Sequence, residues 1–148
     1  MSSMTDGFEN VLALLLFNNT GIANIGDATG LPGSAAAGST QLALSTAALT
    51  DADTLLTATE VAYTGYARPT QARSSAGWTI TGDTADNAAL IQFGNMTAGG
   101  PQTVVHVGLG FISTGNVLRL QRTLVSSLVI NNGVNPQFAI GALDWVFA

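Results

Sequence analysis

The sequence predicts a mainly β protein, an antiparallel β-sandwich or jelly roll carrying a short N-terminal helix and an extended arm. Three observations carry that prediction. From Thr40 onward apolar residues alternate with small polar ones, the period of half-buried strands. Roughly seven or eight such stretches recur, divided by Gly, Asn, Ser and Thr turns, as all-β sandwiches require. Helical spacing shows up once, at the start of the chain. A length of 148 residues corresponds to about one domain at ~150 residues each. We therefore expect a single β domain over 1–148, with helix and arm in 1–39 and the sandwich in 40–147.

Phe8, Val11, Leu12, Leu15 and Leu16 fall on one helical stripe, which needs a surface to dock on. Its own sheet is the expected surface. Asp6 and Glu9 make a capping-box-like start and suit the positive end of the helix dipole. Asn18-Asn19-Thr20-Gly21 is a stop signal. Gly21 to Ser39, punctuated by Gly26, Gly30, Pro32, Gly33 and Gly38, reads as an extended loop or arm that makes contacts. Strands are expected around Leu42 and Leu44, over Thr59–Arg68, Trp78–Thr81 and Ala88–Phe93, and over Thr103–Ile112. After a Ser113–Asn116 turn, Val117–Leu124 follows with Leu118 and Leu120 inward and Arg119 and Gln121 outward. Leu128 and Ile130 come next, then an Asn132-Gly133 turn, and Phe138–Phe147 closes the chain.

Composition excludes several chemistries. There are no cysteines and only one histidine, His106, so thiolate metal sites, disulfides and multi-histidine centres are ruled out within one chain. The four cations are all arginine (Arg68, Arg73, Arg119 and Arg122), and the net charge is -5. A nucleic-acid partner needs clustered cations to displace counterions, and an anionic membrane needs a basic patch, so neither is expected. The first residues lack the positive n-region of a secretory signal and the Val11–Phe17 run is too short to span a bilayer, so we expect a soluble protein made in a cytoplasm. Charged residues make up 9% of the chain, against about 25% in an average soluble domain. So ion-poor a surface is expected to be covered by other subunits.

Asp51 with Asp53, and Asp83 with Asp86, resemble cation-site starts but lack the further oxygens of a calcium loop, and read as turn and cap chemistry. His106 on a strand reads as a structural hydrogen bonder. A catalytic role would require a nucleophile and an orienting acid beside it. Gly108-Leu109-Gly110 with Gly115 fits neither a dinucleotide fingerprint nor a phosphate loop, which needs a lysine the chain lacks. Tyr66, Arg68, Arg73 and Trp78 offer either a carbohydrate- or carboxylate-binding patch or core-edge and subunit contacts. No catalytic, metal or cofactor residue is assigned, and no enzyme activity is expected.

Several blocks in order (Gln41–Ala47, Gly65–Arg68, Trp78-Thr79, Asn87–Phe93, Thr103–Leu109, Gly115–Leu118 and Asn132-Gly133 leading to Phe138–Leu143) resemble a family of small tailed-bacteriophage virion proteins, commonly labelled tail-fibre or virion-associated. Gly110-Phe111-Ile112 departs from that pattern, where an acidic turn is expected. The resemblance implies a virion structural protein made in the bacterial host. Without heptads, collagen-like triplets or a β-helical repeat to supply a shaft, the expected role is capsid decoration. A homotrimer would clamp neighbouring major capsid protein subunits and stabilise the assembled shell by linkage. A tail-fibre or tail-tip component, and a carbohydrate-binding module meeting a host glycan, are the alternatives.

Overall fold

The computed structural model describes residues 4–54, 59–111 and 118–147. Its elements are one helix, α1 (Asp6–Asn18), and nine strands: β1 (Ser39–Ser45), β2 (Thr70–Ala72), β3 (Trp78–Thr81), β4 (Thr84–Asn87), β5 (Ile91–Gln92), β6 (Gln102–Phe111), β7 (Leu118–Ile130), β8 (Gln137–Phe138) and β9 (Asp144–Val146). The fold is mainly β and antiparallel with one short N-terminal helix, as the sequence predicts. Two compact units are built from interleaved segments of chain. The first comprises Met1–Ser39, Gln71–Leu90 and Phe138–Ala148, and the second Thr40–Thr70 and Ile91–Gln137.

In the first unit α1 packs on β3 and β4. β3, β4 and β9 form an antiparallel sheet in that order, with Ala85 opposite Ile80 on one side and Trp145 on the other. The buried line of the helix is Glu9, Ala13 and Phe17, spaced four residues apart. The predicted stripe is rotated: Phe8 is exposed, and Val11, Leu12, Leu15 and Leu16 are half-buried. The methyl of Ala13 allows close approach to the sheet, and Phe17 then reaches Trp78 at 4.7 Å and Phe147 at 6.1 Å, both edge-on. The capping box is not formed. Thr5 is the N-cap and makes no side-chain cap hydrogen bond, while Asp6 and Glu9 occupy the first turn. The stop signal works as read, with Asn19 entering the left-handed region at φ 58°.

The arm is tied at intervals along its length. Asn19 exchanges two hydrogen bonds with the Ser34 backbone, Ile22 pairs with Leu31, and the Asp27 carboxylate accepts from the Thr29 and Gly30 amides.

In the second unit β1, β6 and β7 lie side by side in that order. Leu42 stands opposite Leu109 and Leu44 opposite Val107, so one face of the ladder is apolar. Leu42, Leu44, Val104, Val107, Leu109, Ile91, Phe93, Met96 and Ile130 are completely buried. Of the predicted β7 facing, the side chains described agree: Leu120 is half-buried and Gln121 exposed; further along, Arg122, Leu124 and Leu128 are half-buried, Thr123 and Val129 exposed, and Val125–Ser127 exposed in a row. Val105 of β6 stands opposite four residues of β7, because Val104 pairs with Leu128 and His106 with Thr123. Leu124–Ser127 therefore bulge from the ladder.

Three strand expectations and one turn expectation need correction. Thr59–Arg68 forms only isolated bridges, Glu60 with Ser45 and Thr64 with Ala98. Val61 and Tyr63 are buried as the alternation implied, but Gly65 turns the chain at φ 100° and ends the run. Ala88–Phe93 shrinks to β5, since Gly94 turns away at φ 84°. Phe138–Phe147 divides into the end of β8 and β9, with Gly141 at φ 71° between them. Conversely, Asp86, read as a turn residue, lies within β4. The expected turn at 113–116 and Leu55-Leu56 lie outside the described residues.

Candidate functional site

The densest polar constellation belongs to the second unit and centres on Glu60, which the sequence reading did not single out. Arg68 Nε donates to Glu60 Oε1 at 2.8 Å and its Nη2 to Oε2 at 2.6 Å. The Tyr66 hydroxyl donates to the same carboxylate and accepts the Leu44 amide at 3.1 Å. The Tyr66 ring stacks parallel to Phe93 and meets Tyr63 edge-on at 5.3 Å. Both ion-pair side chains are only 18% exposed, so the pair feels less screening than a surface one. Burial first, and the Glu60 hydrogen bond second, push the Tyr66 hydroxyl well above the ordinary tyrosine range. The Glu60 hydrogen bond likewise raises Arg68. The result is a tyrosine held neutral and an arginine held charged, which together fasten residues 60–68 to β1. A signal for it existed in the sequence: Glu60 is the only acid between Asp53 and Asp83, and it precedes a quarter of the chain's cations by eight residues.

Trp78, grouped with Tyr66 and Arg68 as a possible carbohydrate patch, is 0% exposed in the core of the first unit. It offers no face to a sugar. Arg73, in the same unit as Trp78, also has a structural task. Its Nε and Nη2 donate to the Leu16 and Leu15 carbonyls at 2.7 Å, and its Nη1 to Ala37 at 2.8 Å. α1 has no basic residue in its last turn, so Arg73 brings the cation that its exposed carbonyls and dipole favour. Burial lowers the Arg73 pKa.

His106 Nε2 lies 2.9 Å from the Thr123 hydroxyl, and its buried Nδ1 has no hydrogen-bond partner. A general base would have an acid orienting that nitrogen. The acidic pairs do turn and strand work. Asp53 accepts from the Thr50 amide and hydroxyl, Asp51 accepts from Gln121, and Asp83 from the Thr84 hydroxyl. Asp86 stands opposite Asp144 in the β4–β9 register. Among the described residues no three His, Asp or Glu side chains gather as a metal site, and no helix is long and apolar enough to cross a membrane.

Several large apolar side chains are exposed. Val125, at the β7 bulge, is 98% exposed. Ile140 and Val146 of the first unit are also largely exposed.

A family model described as "Podophage GP4 fiber I protein gp80" matches residues 28–146. The match takes in both compact units and leaves out α1. No curated protein matches the chain.

Proposed function

We propose, because the chain belongs to the podophage GP4 fiber I protein family, that this virion structural protein is a compact building block of a phage fibre. The single observation carrying this reading is that the family match extends across both β units. The chemistry agrees with a building role. The best-connected polar group, Glu60 with Tyr66 and Arg68, uses its hydrogen bonds on its own backbone and side chains. Arg73 is likewise engaged in holding a helix end. A block of this kind supplies bulk and contact surface, and copies of itself are its first partners. Ion-poor surfaces suit such contacts because few charges must be desolvated. We propose no catalytic activity.

The sequence supports a second reading, capsid decoration, in which a trimer clamps major capsid protein subunits. What favours it is the absence from the sequence of any heptad, collagen-like or β-helical repeat that would build a shaft. Gold-labelled antibody on intact particles separates the two. The fibre reading expects label on slender appendages at few positions per particle. Label spread evenly over the head would overturn it in favour of decoration.

A further inference from the structure

We propose that β7 is a self-association edge, along which two copies of the chain pair antiparallel about a two-fold axis passing through Val125. Among the described residues β7 is the outermost strand of its sheet and the longest strand, at 13 residues. An outer edge presents backbone donors and acceptors that another strand can satisfy, and proteins usually guard it with lysine, proline or inward-pointing charge. Residues 120–130 (LQRTLVSSLVI) contain no lysine, no proline and no acid. Their outward side chains are Gln121, Thr123, Val125, Ser127 and Val129, uncharged and in the main β-branched.

The bulge selects the partner. An irregular edge discourages pairing because a straight strand cannot follow it. A second copy carries the matching irregularity. With Val125 on the axis, Leu120 meets Ile130, Gln121 meets Val129, Arg122 meets Leu128 and Thr123 meets Ser127, so no like charges are opposed. The 98% exposed Val125 meets its own twin. This is an isologous contact, in which one patch serves both subunits. Among the described residues no other strand offers an edge of comparable length: β6, the next longest, is paired on both sides, and so is β1 at seven residues. The inference deepens the self-partner part of the proposed function and does not depend on where in the virion the chain resides.

The chain has no cysteine, so Val125→Cys gives a clean probe. Mild oxidation of that variant is expected to yield a disulfide-linked dimer, whereas Val146→Cys, exposed on β9, is expected to stay monomeric. Val125→Lys is expected to raise the dissociation constant at least tenfold by sedimentation while leaving the thermal unfolding midpoint of the dilute, monomeric chain unchanged, since the side chain touches almost nothing in one copy. A wild-type chain that stays monomeric at high concentration overturns the pairing, as does a dimer indifferent to Val125→Lys or a Val125→Cys chain that cross-links no faster than Val146→Cys. None of these results bears on whether particles carry the protein on fibres or head, which antibody labelling decides separately.

Discussion

The two compact units reach the same antiparallel architecture by different means. The first depends on side chains. A helix is laid on a three-stranded sheet, Phe17 is driven into contact with Trp78 and Phe147, and one arginine holds the helix end. The second depends on backbone. A long ladder joins β1, β6 and β7, and two loops cross so closely that only glycine fits at the crossing. Both units hold glycines that a Cβ would drive into backbone, Gly30, Gly33 and Gly77 in the first and Gly65 and Gly94 in the second; the difference is that the first adds a dependence on one large side chain at the helix–sheet contact, and the second on a crossing of two loops.

The largest effect is expected from the smallest addition. A Cβ at Gly94 would lie 2.2 Å from the Gly65 carbonyl oxygen, and one at Gly65 would lie 2.1 Å from the Asn95 oxygen, both at positive φ. Gly94→Ala combines backbone strain with overpacking and is expected to cost about 3–5 kcal/mol in urea unfolding. Gly82 has positive φ but open space around it, so Gly82→Ala is expected to cost only about 1 kcal/mol. Equal costs would break the claim that the crossing, not the dihedral, is what demands glycine.

Phe17→Ala should cost about 3–4 kcal/mol, from lost burial and the cavity left beside Trp78. Amide exchange sharpens the comparison, because protection should fall more in α1, β3 and β4 than in β6. Next comes Arg73→Ala, expected to lose about 2 kcal/mol as three carbonyls lose a charged donor. Arg73→Lys should recover part of that, since an ammonium keeps the charge but lacks the fork.

A gentler test exploits Tyr66. Its pKa is raised in the folded chain, so the native state holds that proton more tightly than the unfolded state does. Stability is then full below the unfolded tyrosine value of about 10 and declines as pH climbs above it. Tyr63 is raised in the same direction by burial. Tyr66→Phe should flatten much, though not all, of the alkaline decline seen in denaturant midpoints between pH 9 and 11. The smallest effect is expected at Val125. Val125→Ser should change monomer stability by less than about 0.5 kcal/mol, because the residue is 98% exposed.

Much of the fold was legible wherever one local signal sufficed. The period-two runs located β6 and the first half of β7, with Gln121 outward, and Trp78–Thr81 was read to the residue. The Asn19 stop was legible because asparagine tolerates the left-handed region. What escaped reading depended on distant partners. The helix turned its Ala13 and Phe17 side inward because shape complementarity to a sheet, not the count of leucines, set the face. Thr59–Arg68 has strand alternation, but its neighbour changes along its length, from Ser45 at Glu60 to Ala98 at Thr64, and Gly65 bends it. Glu60 looked like an ordinary surface acid until folding brought Tyr66 and Arg68 onto it. Arg73 could not be matched to its carbonyls from sequence, since they lie 57 and 58 residues away.

The account stands on the claim that this chain is built into the virion. Quantitative mass spectrometry of gradient-purified particles tests it most directly. The account predicts the protein in every preparation, at a fixed number of copies relative to the major capsid protein. Its absence from washed particles, with the protein left behind in the lysate, would contradict it.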